Sequence, residues 1–448
     1  MTAEEAAGHG DAPVVERSTT GARAPQRPRV VIIGGGFAGL YAARALGRAR
    51  ASVTVLDRTN HHLFQPLLYQ VATAVLAPTD ITSPIRHLLR HQENTSVLLS
   101  DVDRVDQARR VVISEGGARE TPYDYLLVAA GTRHSYFARP EWEALAPGLK
   151  SIDDAREIRR RFLMAFEKAE KISDPGEQAE LLTFVIVGGG PTGVELAGML
   201  PDVMRKAMRK DFRRVDTSRA RVLLLEGGER LLPAFPEELS RHARRDLEEL
   251  GVEVRTGALV TRIKRDAVYL GEERIAARNV FWAAGNEASP LAQSLGAPLD
   301  RVGRVLVEAD LSVPGHPEIF VAGDLAAVPR ADGSLVPGVA PAAMQEGRTA
   351  ARNIVRSIRG EPRKPFRYRN KGDLATIGRR KAVADFGWLH VTGRPAWWLW
   401  LFVHILYLAG FRNRLSVLVQ WAFAYFTYER GARLITPRSG DAMPPGAD

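Results

Sequence analysis

Two glycine-rich turns govern what this chain can fold into. Residues 30–44 read VVIIGGGFAGLYAAR, and residues 184–198 read FVIVGGGPTGVELAG. Each is an apolar strand, a GxGxxG turn and the start of a helix. The first glycine of such a turn makes the tight bend and the second lets the backbone approach a pyrophosphate. The third allows helix and strand to pack closely. The helix that follows aims its unpaired N–H groups and positive dipole end at the phosphates. Each turn is also followed by a strand ending in an acid, Asp57 in VTVLD and Glu226 in VLLLE, placed to accept hydrogen bonds from a ribose diol. The interval before Glu226 is lengthened by PDVMRKAMRKDFRRVDTSR, which reads as a basic helical insert. The expectation is an α/β protein with two Rossmann-like dinucleotide-binding domains.

The remaining pattern supports this. At 448 residues the chain has room for two or three domains. The first 28 residues, rich in Ala, Gly and Pro and lacking an apolar h-region, read as a disordered tail, as does PRSGDAMPPGAD at the end. IFVAGDLA at 319–326 is a strand ending in Gly-Asp, and AAMQEGRTAARNIVRSIRG is a strong helix. The formal net charge of +10 admits nucleic acid or an anionic membrane surface as partner. With no cysteine, disulfides, thiolate metal sites and thiol redox chemistry are excluded. No metal site is expected.

Two glycine turns with a Gly-Asp strand end at Asp324 resemble the large two-dinucleotide flavoprotein reductase family, whose Gly-Asp motif binds the flavin ribityl chain. That resemblance implies FAD at the first turn and a nicotinamide cofactor at the second. Glu226 would oppose a 2′-phosphate by like charge, so NADH is expected over NADPH, with Arg230 the one nearby cation. Cysteine-dependent branches of the superfamily are excluded. Further stretches are similar to type II NADH dehydrogenases: NHHLFQPLLYQVATAVLAPTDITSPIR (60–86), YDYLLVAAGTRHSYF, GPTGVELAG, RLLPAF, VAPAAMQEGR, KGDLATIGRRKAVADFG and GFRNRLSVLVQWAFAYFTYERGARLI. Together they span roughly residues 29–435.

That resemblance implies a single-chain NADH:quinone oxidoreductase of the respiratory chain that does not pump protons. Residues 29–150 and 289–360 would form the FAD-binding domain, 151–288 the NADH-binding domain and 361–435 a membrane-anchoring region. FAD contacts would come from Gly34, Gly36, Phe37, Ala38, Gly39, Asp57, Arg58, Val102, Ala130, Gly131, Gly323, Asp324 and Ala342. NADH contacts would come from Gly188, Gly190, Pro191, Thr192, Gly193, Glu226, Ala284 and Gly285. Glu195, Gln345 and Lys371 match residues at the nicotinamide and quinone pockets, Glu195 as a proton relay or a contact to NADH. Pro341 stands where the family often has a second glutamine, and it offers no side-chain donor.

The apolar stretch 396–411 is too short to span a bilayer, and Arg412 and Arg414 interrupt it. From Leu415, apolar residues recur at helical spacing, with Ser416 and Gln420 on another face. Tryptophans 397, 398, 400 and 421 suit a membrane–water interface. The segment is expected to lie on the cytoplasmic face of the cell inner membrane, as a monotopic anchor. A chain ending near Arg394 is expected to stay soluble and keep both cofactors. A packed core or a homodimer face is the other use of such residues. The competing functions are a soluble NADH:ferredoxin-type reductase and a flavoprotein that binds nucleic acid.

Overall fold

The computed structural model describes residues 27–209, 211–330, 332–427 and 433–435. Both terminal tails expected from the sequence lie almost entirely outside the described residues. The chain opens with β1 (Arg29–Ile33), α1 (Phe37–Leu46) and β2 (Ser52–Asp57), then β3 (Thr95–Leu99) and β4 (Tyr125–Val128). The long α2 (Ile152–Ala169) leads to β5 (Thr183–Val187) and α3 (Pro191–Asp202), followed by β6 (Arg221–Leu225), α4 (Glu237–Glu249), β7 (Val252–Arg255) and β8 (Asn279–Trp282). Then come β9 (Ser312–Val313), β10 (His316–Val321) and α5 (Ala340–Ile358). The antiparallel strands β11 (Asp373–Gly378), β12 (Lys381–Asp385) and β13 (His390–Thr392) precede α6 (Gly393–Tyr407) and α7 (Phe411–Thr427).

Two sheets carry the glycine turns. The first has strand order β9-β10-β4-β1-β2-β3, parallel except for β9, with β1 in its interior. The second has order β7-β6-β5-β8, all parallel. Strands covered by helices on both faces have no solvent side, so they read as continuous apolar runs. Every residue of β5, TFVIV, is accordingly buried. In each sheet the glycine turn leaves the carboxyl end of an interior strand, between its two neighbours. Open α/β sheets bind ligands there.

The insert between α3 and β6 departs from the helix expected. It continues α3 by one π-helical turn, Val203–Ala207, and regains regular structure only at the short 3₁₀ turn Thr217–Arg219. Glu170 accepts the main-chain N–H groups of Arg213, Arg214 and Val215. A side chain thus replaces the helical hydrogen bonds that this stretch does not make.

The C-terminal region is no appendage. Trp400, 2% exposed, shares a core with Phe162, Phe184 and Phe281, as do Leu408 and Val417. Trp421 donates its indole N–H to Gln70 Oε1 at 2.8 Å. The truncation expectation is therefore revised: cutting at Arg394 would open this core. Trp400 and Trp421 are likewise not interfacial residues. Among the described residues no helix is long and apolar enough to cross a membrane.

Candidate functional site

The first turn is built around backbone that only glycine tolerates. Gly34 has φ +100°, and a Cβ there would strike the Ala129 carbonyl; a Cβ on Gly39 would overlap the Gly34 carbonyl. At Gly36 an added Cβ meets nothing within 4 Å, so the cradle is open where a pyrophosphate would lie. Asp57 Oδ2 accepts the Gly35 N–H at 2.5 Å, which ties the strand-end acid to the turn. Beside it Arg58 is exposed, while Val102 packs half-buried on the core. His62, to which the sequence assigned no role, brings Nδ1 to 3.0 Å from the Gly35 carbonyl. Burial pushes its pKa down to about 4, so the neutral ring donates that bond.

Helix α5 meets this cradle from the second chain segment. A Cβ on Gly347 would overlap the Ala38 carbonyl, so α5 and α1 touch at backbone distance. This brings the Gly323–Asp324 turn beside Ala38 and beside Ala343, which follows Ala342 on α5, with Gly323 at φ +77° and its N–H donating to Glu346 Oε2 at 2.6 Å. Burial raises the Glu346 carboxyl to about 8, with neighbouring Asp324 adding to the rise. Ala130 and Gly131 end β4 on the same side.

The second cradle repeats the first. Gly188 has φ +112°, a Cβ on Gly193 would overlap the Gly188 carbonyl, and Gly190 is open. Pro191 and Thr192 start α3. Glu226 accepts from the N–H groups of Gly189 and Gly228 at 2.5 and 2.6 Å. Ala284 and Gly285 follow β8, next to the turn. Arg230 spends its guanidinium on the carbonyls of Phe235 and Pro233, at 2.6 and 2.8 Å. Helices α1, α3 and α5 share a further property: none has a side-chain cap or an acid in its first turn. Three positive helix ends are thus left for anionic groups. By contrast, α2 is closed by Ser151 and Asp154 in a capping box.

A third locus lies between α3 and the C-terminal strands. Glu195 on α3 faces the main-chain amide of Thr376 on β11, and burial raises its pKa well above the ordinary carboxylate range. Gln345 closes its amide on the main chain of Arg369, donating to its carbonyl and accepting its N–H, both at 3.1 Å. That pairing fixes the segment leading to Lys371, which is exposed and donates to Tyr407 Oη at 3.0 Å. Aromatic rings connect this region to the first turn. Phe37 meets Phe64 at 5.8 Å, Phe64 meets His404 at 6.2 Å, and His404 stacks on Trp400 at 4.2 Å. Gly198, Lys150, His62 and Glu346 are the residues that sequence reasoning passed over.

Comparison with known proteins agrees with this arrangement. The pyridine nucleotide-disulphide oxidoreductase family profile matches residues 28–347, and the NDH2 C-terminal domain profile matches residues 370–428. Type II NADH:quinone oxidoreductase Ndh of Mycobacterium tuberculosis is 44% identical over 435 residues, covering 94% of this chain and 93% of that protein. NdhA of the same organism, also a type II NADH:quinone oxidoreductase, is 45% identical over 426 residues, covering 92% and 90%. The solved structure of NDH2 from Plasmodium falciparum in complex with NADH shares the fold, with a TM-score of 0.83 at 21% identity over 91% of this chain and 99% of that one. Two open cradles, a C-terminal region packed on α3 and identity across nearly the whole length lead to one placement: the chain belongs to the type II NADH:quinone oxidoreductase family.

Proposed function

We propose that the protein oxidises NADH through bound FAD and passes two electrons to a quinone, without pumping protons, while lying on a membrane surface. The observation that carries the reading is the trio of uncapped helix ends, two of them over acid-anchored glycine turns, in a chain without thiols. When bound, FAD supplies a two-electron relay between a hydride donor and the quinone. The protein's part is mostly positioning. Gly34, Gly36 and Gly39 would hold the FAD pyrophosphate at α1, Asp57 its ribose and Asp324 its ribityl chain. The uncapped N-terminus of α5 would favour the negative charge that FAD gains on reduction. Gly188, Gly190 and Gly193 would seat NADH at α3, with Glu226 on its ribose. The test is anaerobic: NADH should bleach the yellow protein, and a soluble quinone analogue should restore the colour. A protein that bleaches but is reoxidised only by a one-electron protein carrier would favour the ferredoxin-type alternative.

Coenzyme choice follows from the second cradle. A 2′-phosphate would meet the Glu226 carboxylate, and Arg230, the cation nearest to it in sequence, is committed to carbonyls. NADH should therefore bleach the flavin far more readily than NADPH, and Glu226→Ala should raise KM for NADH. Equal bleaching by both coenzymes in the unaltered protein would refute this assignment.

Glu195 is the proton source we assign to the quinol. With its pKa raised, the carboxyl keeps its proton to higher pH than an ordinary carboxylate and is lost as a donor when pH climbs through the raised value. Quinone turnover should fall across that alkaline limb. Glu195→Gln should be slower by roughly 100-fold and lose the limb, while bleaching by NADH stays within a few-fold. A Gln variant that keeps the alkaline limb would assign the ionisation to another group.

Gln345 we place in support of the acceptor pocket, through the segment from Arg369 to Lys371. Gln345→Ala should cut quinone turnover about tenfold, the equivalent of one hydrogen bond of ~1.4 kcal/mol, and spare flavin reduction. Equal slowing of both half-reactions would put it in the scaffold of the nicotinamide site.

The membrane reading rests on an inverted helix. The polar side of α7 faces the protein: Ser416 and Gln420 bond Asp80 at 2.9 and 3.0 Å, and Asn413 bonds the Thr82 carbonyl at 2.8 Å. Its apolar residues Leu415, Leu418 and Val419 point outward, 54%, 41% and 59% exposed. Trp398, Phe402 and Leu406 of α6 are exposed too. A water-soluble surface orients a helix the other way round, and an exposed apolar band of this size fits a lipid face. We place that face on the cytoplasmic side of the inner membrane, with Arg412 exposed beside it. Arg414, by contrast, turns back to the Leu408 carbonyl at 2.9 Å.

A further inference from the structure

Lys150 lies between the two halves of the molecule, and none of the steps above uses it. Its Nζ donates to Thr132 Oγ1 at 2.8 Å, and that hydroxyl lies 3.5 Å from Asp324 Oδ2. Thr132 directly follows Gly131 at the end of the first cradle, and Asp324 is the acid assigned to the ribityl chain. The lysine is therefore linked, through one hydroxyl, to that acid.

Its backbone is held firmly. Asp154 Oδ2 accepts the N–H groups of both Lys150 and Ser151 at 2.9 Å, within the capping box of α2. Two residues earlier, a Cβ on Gly148 would overlap the His134 ring, and His134 Nε2 lies 3.4 Å from the same Asp154. A flexible lysine on a surface loop needs no such clamp. Lys150 forms no ion pair within 4.0 Å among the described residues, and the carboxylates of Asp324 and then Asp154 are the charges that bear on it. Burial lowers its pKa and the nearby charge of Asp324 opposes that fall, so Asp324 is its principal electrostatic neighbour. Glu346, the other acid at Asp324, is held largely protonated at neutral pH by its own burial.

We propose that Lys150 is a positioning residue that sets the redox potential of the bound flavin. It orients Asp324 through Thr132 and supplies the positive charge that favours the reduced, more negative flavin. The inference rests on the assignment of Asp324 to FAD. A fixed charge in a partly desolvated site acts over several ångströms with little screening, so contact with the ring is not required. Reduced flavin that is too easily oxidised by oxygen, or too hard for NADH to form, would be the consequence of losing it.

The test is an anaerobic equilibrium titration of the full-length, FAD-loaded protein against a redox dye. Lys150→Met should shift the two-electron equilibrium against reduced flavin about tenfold, which is ~30 mV downward. Lys150→Arg should stay within about twofold of the unaltered protein. A Met variant that keeps FAD and an unchanged potential overturns the proposal and leaves Lys150 as a packing residue. Should that variant shed FAD, Lys150→Gln decides, since it keeps a donor to Thr132 without the charge: an unchanged potential there also overturns it, and a lowered one supports it. Asp324→Ala separates the two ideas. Tight FAD binding in that variant would refute the ribityl assignment, whereas lost FAD together with an unshifted Lys150→Met potential would refute the role of Lys150 alone.

Discussion

Replacing Leu415, Leu418 and Val419 together by serine should release the protein from anionic vesicles while leaving it folded, yellow and bleached by NADH. Fully burying such a side chain is worth roughly 1.5–3 kcal/mol, and each is already partly covered by protein. Counting about half of that for each gives ~3 kcal/mol, or more than roughly a hundredfold in partition. The fold should survive because the contacts that seat α7 come from its other side. The bonds of Ser416 and Gln420 to Asp80 and of Trp421 to Gln70 are untouched, and Val417 stays in the core. Oxidation of NADH with water-soluble acceptors should persist, and turnover with lipid-dissolved quinone should collapse. Vesicle sedimentation with flavin absorbance reads both properties at once. A triple variant that still pellets with vesicles would show that the anchor is elsewhere, with the exposed Trp388 and Leu389 at the β12–β13 turn the next residues to change.

How much of this was legible in the sequence depended on whether the constraint was local. Gly34, Gly39, Gly188 and Gly193 answer to backbone conformation and one helix–strand crossing, and their spacing alone announced the two cradles. Asp57 and Glu226 were legible for the same reason, since a strand end puts them within reach of the turn. The tail was half legible. Its helical period showed in Leu415, Leu418 and Val419, but a period does not say which face meets the protein. Asp80 and Thr82, more than three hundred residues away, turn the polar face inward. Gln345 was matched to a pocket, yet its amide is occupied by Arg369, a pairing that no motif encodes. Lys150 was invisible as one base among many. Its significance lies in Thr132 and Asp324, which reach it from two other chain segments.

Gly198→Val should cost about 4 kcal/mol or more of stability and cripple quinone reduction more than reduction of the flavin by NADH. The last glycine of GPTGVELAG has nothing to do with the nucleotide turn. A Cβ at Gly198 would overlap the carbonyl of Ile377 on β11, with Leu247 Cδ2 a further 3.3 Å neighbour. The obstacle is main chain in a paired strand, so it cannot rotate aside as a side chain would. Accommodating valine requires β11 to leave α3. Glu195 lies three residues before Gly198, hence on the same helix face, and Thr376 precedes Ile377. The displacement would therefore pull the Thr376 amide away from Glu195 and loosen the segment just before β11 that carries Lys371. The FAD cradle belongs to the other sheet and should keep its cofactor. Gly190 and Gly193 lie at the start of α3, one to two turns from the disturbance, so NADH binding should weaken only modestly. Thermal unfolding followed by flavin release gives the stability loss, and stopped-flow bleaching against steady-state quinone turnover gives the split between half-reactions. If both half-reactions and the midpoint of unfolding matched the unaltered protein, the close seating of β11 on α3 would be irrelevant to the acceptor site.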